Sequence, residues 1–93
     1  MGIILNKATG IFNTTKNTIE VNIYPNPANE FVNIESNEKI ISIEIYDVQG
    51  KLVFNSYVND FNFTLNVQEF ISNIYLVKIK TDLNIYQEKL LIK

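Results

Sequence analysis

At 93 residues, 46% hydrophobic and with a net charge of −2, the chain has the size of one domain and too little charge to imply a charged partner. It contains neither cysteine nor histidine, which removes disulfide staples, the usual transition-metal ligands and the nucleophile pairs built on His. All eight basic residues are lysine, so the bidentate guanidinium contacts to phosphate and guanine are missing and no nucleic-acid partner is expected.

Frequent Ile, Val, Thr, Phe and Tyr suit pleated sheets, and the hydrophobic content argues against disorder. No apolar run approaches the ~20 residues that span a bilayer. Ile3-Ile4-Leu5 is too short for a signal-peptide core of about 7–15 residues.

Residues 1–17 read as a linker or N-terminal extension, punctuated by Gly10 and the polar cluster at 13–17. Within them, Ile3-Ile4-Leu5 and Ile11-Phe12 are candidates for an extra short strand or for packing on a neighbouring domain. From residue 18 the period is two. Ile19, Val21 and Ile23 share one face, and Val32 and Ile34 share another. A polar turn is predicted at 36–39. Ile41, Ile43 and Ile45 then alternate with Ser42, Glu44 and Tyr46.

Asp47-Val48-Gln49-Gly50-Lys51 reads as a hairpin tip, with Gly50 at positive φ. Asp47 reads as a turn cap, because the segment lacks the alternating oxygen ligands of a calcium loop. The returning strand covers 51–57, Asn59-Asp60 turns, and Phe61, Phe63 and Leu65 align. Residues 67–73 connect across, with room for a single helical turn. Tyr75, Val77 and Ile79 face one way, residues 81–84 turn, and 85–92 closes the domain. The predicted core is Val21, Ile23, Val32, Ile34, Ile43, Ile45, Leu52, Phe63, Leu65, Tyr75, Val77 and Ile79. About seven short strands without helical periodicity predict an all-β, immunoglobulin-like antiparallel β-sandwich over 18–93.

Three segments admit a sharper reading. Tyr24-Pro25-Asn26-Pro27 is a stiff, extended corner between strands, or a docking element in which Tyr24 beside the stiff segment is the anchor. Lys89-Leu90-Leu91-Ile92-Lys93 is a final strand whose lysines blunt an edge, or a terminal address. The aromatic set Phe31, Tyr46, Phe54, Tyr57, Phe61, Phe63, Phe70, Tyr75 and Tyr86 is core and cross-strand pairing, or a carbohydrate platform. The sequons at Asn13 and Asn62 are expected by chance in an Asn-rich chain.

In order and spacing, Tyr24-Pro25-Asn26-Pro27, Asp47-Val48-Gln49-Gly50-Lys51, Ile74-Tyr75-Leu76-Val77-Lys78-Ile79 and the closing Lys89-Leu90-Leu91-Ile92-Lys93 resemble the C-terminal sorting domain of type IX secretion cargo in the Bacteroidetes. The resemblance covers about residues 19–93. It departs at Asn73, where the family usually has glycine. It implies a β-sandwich on a larger secreted cargo, with this chain a fragment and Met1-Gly2 a start introduced for expression. It further implies Sec export to the periplasm, recognition by components of the type IX outer-membrane translocon, and removal of the domain by a surface sortase-like peptidase, within 13–22. The cargo then stays on the cell surface or enters the medium. The domain itself is expected to be no enzyme and to need no cofactor or metal. Alone, it is expected to form a homodimer, with residues 3–12 as the swapped segment. The competing reading is a retained immunoglobulin-like adhesion or carbohydrate-binding module.

Overall fold

The computed structural model describes residues 20–93. The expected linker, the extra strand and swapped segment at 3–12, the sequon at Asn13 and most of the expected cleavage region therefore lie outside the described residues. Five strands form in chain order: β1 (Val21–Tyr24), β2 (Phe31–Tyr46), β3 (Leu52–Asn66), β4 (Asn73–Thr81) and β5 (Ile85–Ile92). All strand pairs are antiparallel and belong to one sheet.

The long strand β2 organises the sheet. One of its edges pairs with β3 from Phe31 to Tyr46. Its other edge is shared: β1 pairs at residues 33–36, and β4 pairs at 40–46. β5 then adds to the far side of β4. The sheet curls, so that the corner after β1 meets the far end of β5, where Ala28 bridges Ile92.

The all-β class holds. The seven expected runs are all extended, but they make five strands among the described residues. Residues 31–35 and 41–45 are two halves of β2, and 52–57 and 61–65 are two halves of β3. The turns expected at 36–39 and 59–60 do not reverse the chain. They are ladder irregularities between Glu35 and Ile40 and between Ile40 and Ser42. Asn59 takes a φ of +55° there. An extra residue on one strand bends it without ending the pairing, and Asn tolerates this conformation better than most residues.

One hydrophobic cluster joins both halves of the curled sheet. Val32, Ile34, Ile40, Ile43, Ile45, Val77, Ile79 and Leu90 are fully buried in it. Each such side chain contributes roughly 1.5–3 kcal/mol relative to an exposed one. Leu65 and Tyr75 are also buried, while Val21, Ile23 and Phe63 pack against the cluster half-buried.

Three face assignments change. Ile40 is fully buried, and Ile41, aligned by alternation with Ile43 and Ile45, is only half-buried, because the shift between Ile40 and Ser42 exchanges the faces. Leu52, predicted buried, is 42% exposed, because a further shift between Ile45 and Tyr46 leaves Phe54 to face inward. Phe61 is exposed beside the Asn59 irregularity. Residues 67–73 form no helical turn. Phe70 N–H donates to the Val67 carbonyl at 3.0 Å, closing a tight turn, and Val67 itself is buried.

Candidate functional site

Residues far apart in sequence meet at one end of the sheet. In register, Tyr46 of β2 lies beside Leu76 of β4, and Leu76 beside Lys89 of β5. The hairpin 47–51 projects from that end, and the 25–28 corner closes on it.

The corner is held by a carboxamide clasp. Asn26 Nδ2–H donates to the Lys89 carbonyl at 2.9 Å, and Asn26 Oδ1 accepts from Leu91 N–H at 3.0 Å. The chain continues the same pattern with its backbone. Ala28 N–H donates to the Leu91 carbonyl at 2.9 Å, and Lys93 N–H donates to the Ala28 carbonyl at 2.8 Å. Asn26 and Ala28 thus act as a short extra strand on the outer edge of β5. That edge would otherwise leave its polar groups unpaired.

Both prolines suit this place. A proline cannot donate a ladder hydrogen bond, so Pro25 and Pro27 alternate with the two residues that do bond. Both preceding peptide bonds are cis. Tyr24 stays 44% exposed, with its hydroxyl donating to the Glu35 carboxylate. That bond to Glu35, helped by burial and the nearby negative charge, pushes the phenol above its ordinary pKa.

The hairpin is capped by Asp47. Its Oδ1 accepts from Gln49 N–H and Lys51 N–H, each at 2.9 Å. Its carbonyl accepts from Gly50 N–H at 3.0 Å, and its N–H donates to the Lys51 carbonyl at 2.9 Å. Gly50 has a φ of +83°, a conformation that costs an L side chain energy. Asp47 is therefore a turn cap, in agreement with its sequence reading.

The closing strand divides by parity. Leu90 and Ile92 point into the core, at 0% and 1% exposure. Lys89, Leu91 and Lys93 are exposed. Tyr75 is buried, with its hydroxyl donating to the Ile71 carbonyl at 2.6 Å and its ring edge-on to Phe70 at 5.5 Å. Asn73 is not in the left-handed region that a glycine would favour. It is extended, pairs with Ile92, and accepts Ile74 N–H on its own Oδ1 at 2.8 Å.

The sequence quoted all of these segments but missed Asn26's contacts, which reach 63 and 65 residues along the chain. It also missed Ala28, Ile40, Val67, Leu90 and Ile92 as core residues. The aromatic set is divided, with Phe31, Tyr57 and Phe61 exposed. Phe54 and Phe63 face each other at 6.1 Å, and with Phe70, Tyr75 and Tyr86 they belong to the core or pack against it. Among the described residues no cluster of acidic groups could hold a metal ion.

An antiparallel all-β domain whose closing strand is clasped by a Pro-Asn-Pro corner is the class of protein that this geometry defines. Residues 22–93 match the model of the secretion system C-terminal sorting domain. The match covers most of the chain, and the chain belongs to that family, the sorting signals of type IX secretion. A solved structure of PorZ, described as an essential bacterial surface component of the type IX secretion system of Porphyromonas gingivalis, shares the fold. Its TM-score is 0.65 at 19% identity, over 78% of this chain and 11% of that one. No curated protein matches the chain.

Proposed function

We infer that the chain is the address of a larger cargo protein, read by the type IX outer-membrane translocon after Sec export. A surface sortase-like peptidase then cuts the domain away, and the cargo remains on the cell surface or in the medium. The domain performs no reaction of its own. Its curled sheet works as an immunoglobulin-like sandwich, in which bent β2 and β3 each count as two strands.

The observation that carries this reading is the convergence of the Pro-Asn-Pro corner, the Asp47–Lys51 hairpin and the closing strand at one end of the sheet. Segments spread across the sequence would be needed together only if the fold or a partner uses them together. The fold uses Asn26, Leu90 and Ile92. Lys89, Leu91 and Lys93 are left on the surface.

The test fuses residues 16–93 to a reporter with a Sec signal, in a host with the type IX machinery. The reporter is expected outside the cell, freed of the domain. Cleavage is expected in the polar stretch 13–22, because a protease needs an extended, accessible backbone. A folded fusion that stays periplasmic, while an established sorting domain exports the same reporter, defeats this reading. Export with the domain retained on the cargo favours the adhesion-module alternative.

A further inference from the structure

The outward face of the sheet at the motif end carries a shallow groove of about 470 Å³, lined by Tyr46, Val48, Ile74, Leu76, Lys78 and Lys89 among others. These residues come from three strands and the hairpin, and they stand in register. Tyr46 lies beside Leu76, Leu76 beside Lys89, and Ile74 beside Leu91. Ile74 is 49% exposed and Val48 65%. Apolar groups grouped in this way on a surface mark a contact site more often than scattered ones do.

The charged residues lining the groove are Lys78, Lys89 and Asp47. Lys78 and Lys89 border the apolar floor, and among the described residues neither has a carboxylate partner. Asp47 is turned to its own hairpin backbone, and Glu44, across from Lys78 in register, accepts from the Tyr46 hydroxyl at 2.7 Å. Two unpaired ammonium groups around an apolar floor fit a protein surface that offers an apolar side chain flanked by carboxylates. A sugar-phosphate surface would meet the lysines but would leave the floor uncovered.

We propose that this groove is the recognition surface of the sorting signal and that its occupant is an acidic protein surface of the export machinery. This deepens, and rests on, the sorting-signal reading. The closing strand then does two jobs by parity: Leu90 and Ile92 hold the fold, and Lys89 and Leu91 are read by the partner. Asn26 is a positioning residue, since its clasp fixes the register of the strand that presents them.

The experiment fuses the full chain to a secreted reporter in a host with the type IX machinery. A Lys78→Glu, Lys89→Glu double variant is compared with Lys78→Arg, Lys89→Arg and with Lys39→Glu, which lies off the groove. Thermal unfolding verifies that each is folded. The charge reversal is expected to lower export about tenfold or more, the scale of losing one buried anchor. The arginine variant and Lys39→Glu are expected to export as the unmodified chain does. A photo-crosslinker at Ile74 is expected to give a protease-sensitive adduct that the charge reversal abolishes. Normal export of the folded double variant overturns the surface, as does an adduct that resists protease and contains lipid or polysaccharide. An unmodified fusion that stays periplasmic overturns the sorting reading and the surface together.

Discussion

The two ends of the β2–β4–β5 sheet are closed by different chemistry. At the motif end, the corner 25–28 and the hairpin 47–51 use backbone groups, assisted by the side chains of Asn26 and Asp47. At the opposite end, side chains meet. Thr81, 3% exposed, donates its hydroxyl to Glu38 at 2.7 Å, and Tyr86 donates to the same carboxylate oxygen at 3.1 Å. Thr81 Oγ1 also accepts Asn84 N–H at 2.9 Å, fixing the β4–β5 turn. The lesson is a division of labour. Closing the motif end mainly through the backbone leaves the side chains of Lys89, Leu91 and Val48 on the surface. The other end adds to its backbone bonds, Thr81 to Asn84 and Asp82 to Lys39, a side-chain cluster that engages Glu38, Thr81 and Tyr86.

The strongest way to break the comparison is to test the parity of β5. Leu90→Ala removes a fully buried side chain, at an expected cost of about 2–5 kcal/mol. Leu91→Ala, one residue on, should change stability by less than about 0.5 kcal/mol. Urea unfolding measures both, and equal losses would show that the strand does not divide by face.

Gly50→Ala meets no atom within 4 Å, so its cost is conformational. Forcing an L side chain to positive φ should cost about 1–2 kcal/mol. Asn59→Gly, at the other positive φ, should instead be nearly neutral. A larger loss at Asn59 than at Gly50 would reverse the assignment of strain.

Asn26→Ala leaves the Lys89 carbonyl and Leu91 N–H to water at an exposed edge. The expected loss is about 1 kcal/mol. Amide exchange at Leu91 should quicken more than at Leu90, whose partner is β4. Uniform quickening of both would mean that the clasp supports the whole sheet and not its edge.

The smallest effect is on pH dependence. The hydroxyl of Thr81, with burial opposing and Tyr86 and Asn84 assisting, holds the Glu38 carboxyl below its ordinary range. The unfolded chain then takes up this proton at higher pH than the folded one. The stabilisation is complete above the ordinary carboxylate range and is lost as pH falls through the lowered value. Glu38→Gln should flatten the acid side of the stability profile. An unchanged slope would show that the cluster at this end is electrostatically silent.

Much of this was legible locally. Alternation in 41–46 and 75–79 marks strands because a buried face repeats every two residues. Gly50 and Asp47 were legible because a tight turn needs both a positive φ and a short side-chain acceptor nearby. The corner was legible as a corner because proline restricts itself and the residue before it.

What the residues alone determined is therefore strand content, turn chemistry and family membership, all written in short windows or ordered motifs. What only the tertiary structure decided is pairing and face. Whether 36–39 ends a strand or bends it depends on a partner, β3, which pairs again at Ile40 and Asp60 beyond the irregularity. Ile40 and Ile41 are equivalent in composition, and a one-residue shift chose between them. Asn26 looked like any turn residue until β5 came beside it. Contacts over sixty residues leave no local periodicity to read, because their register is set by the whole sheet closing at once.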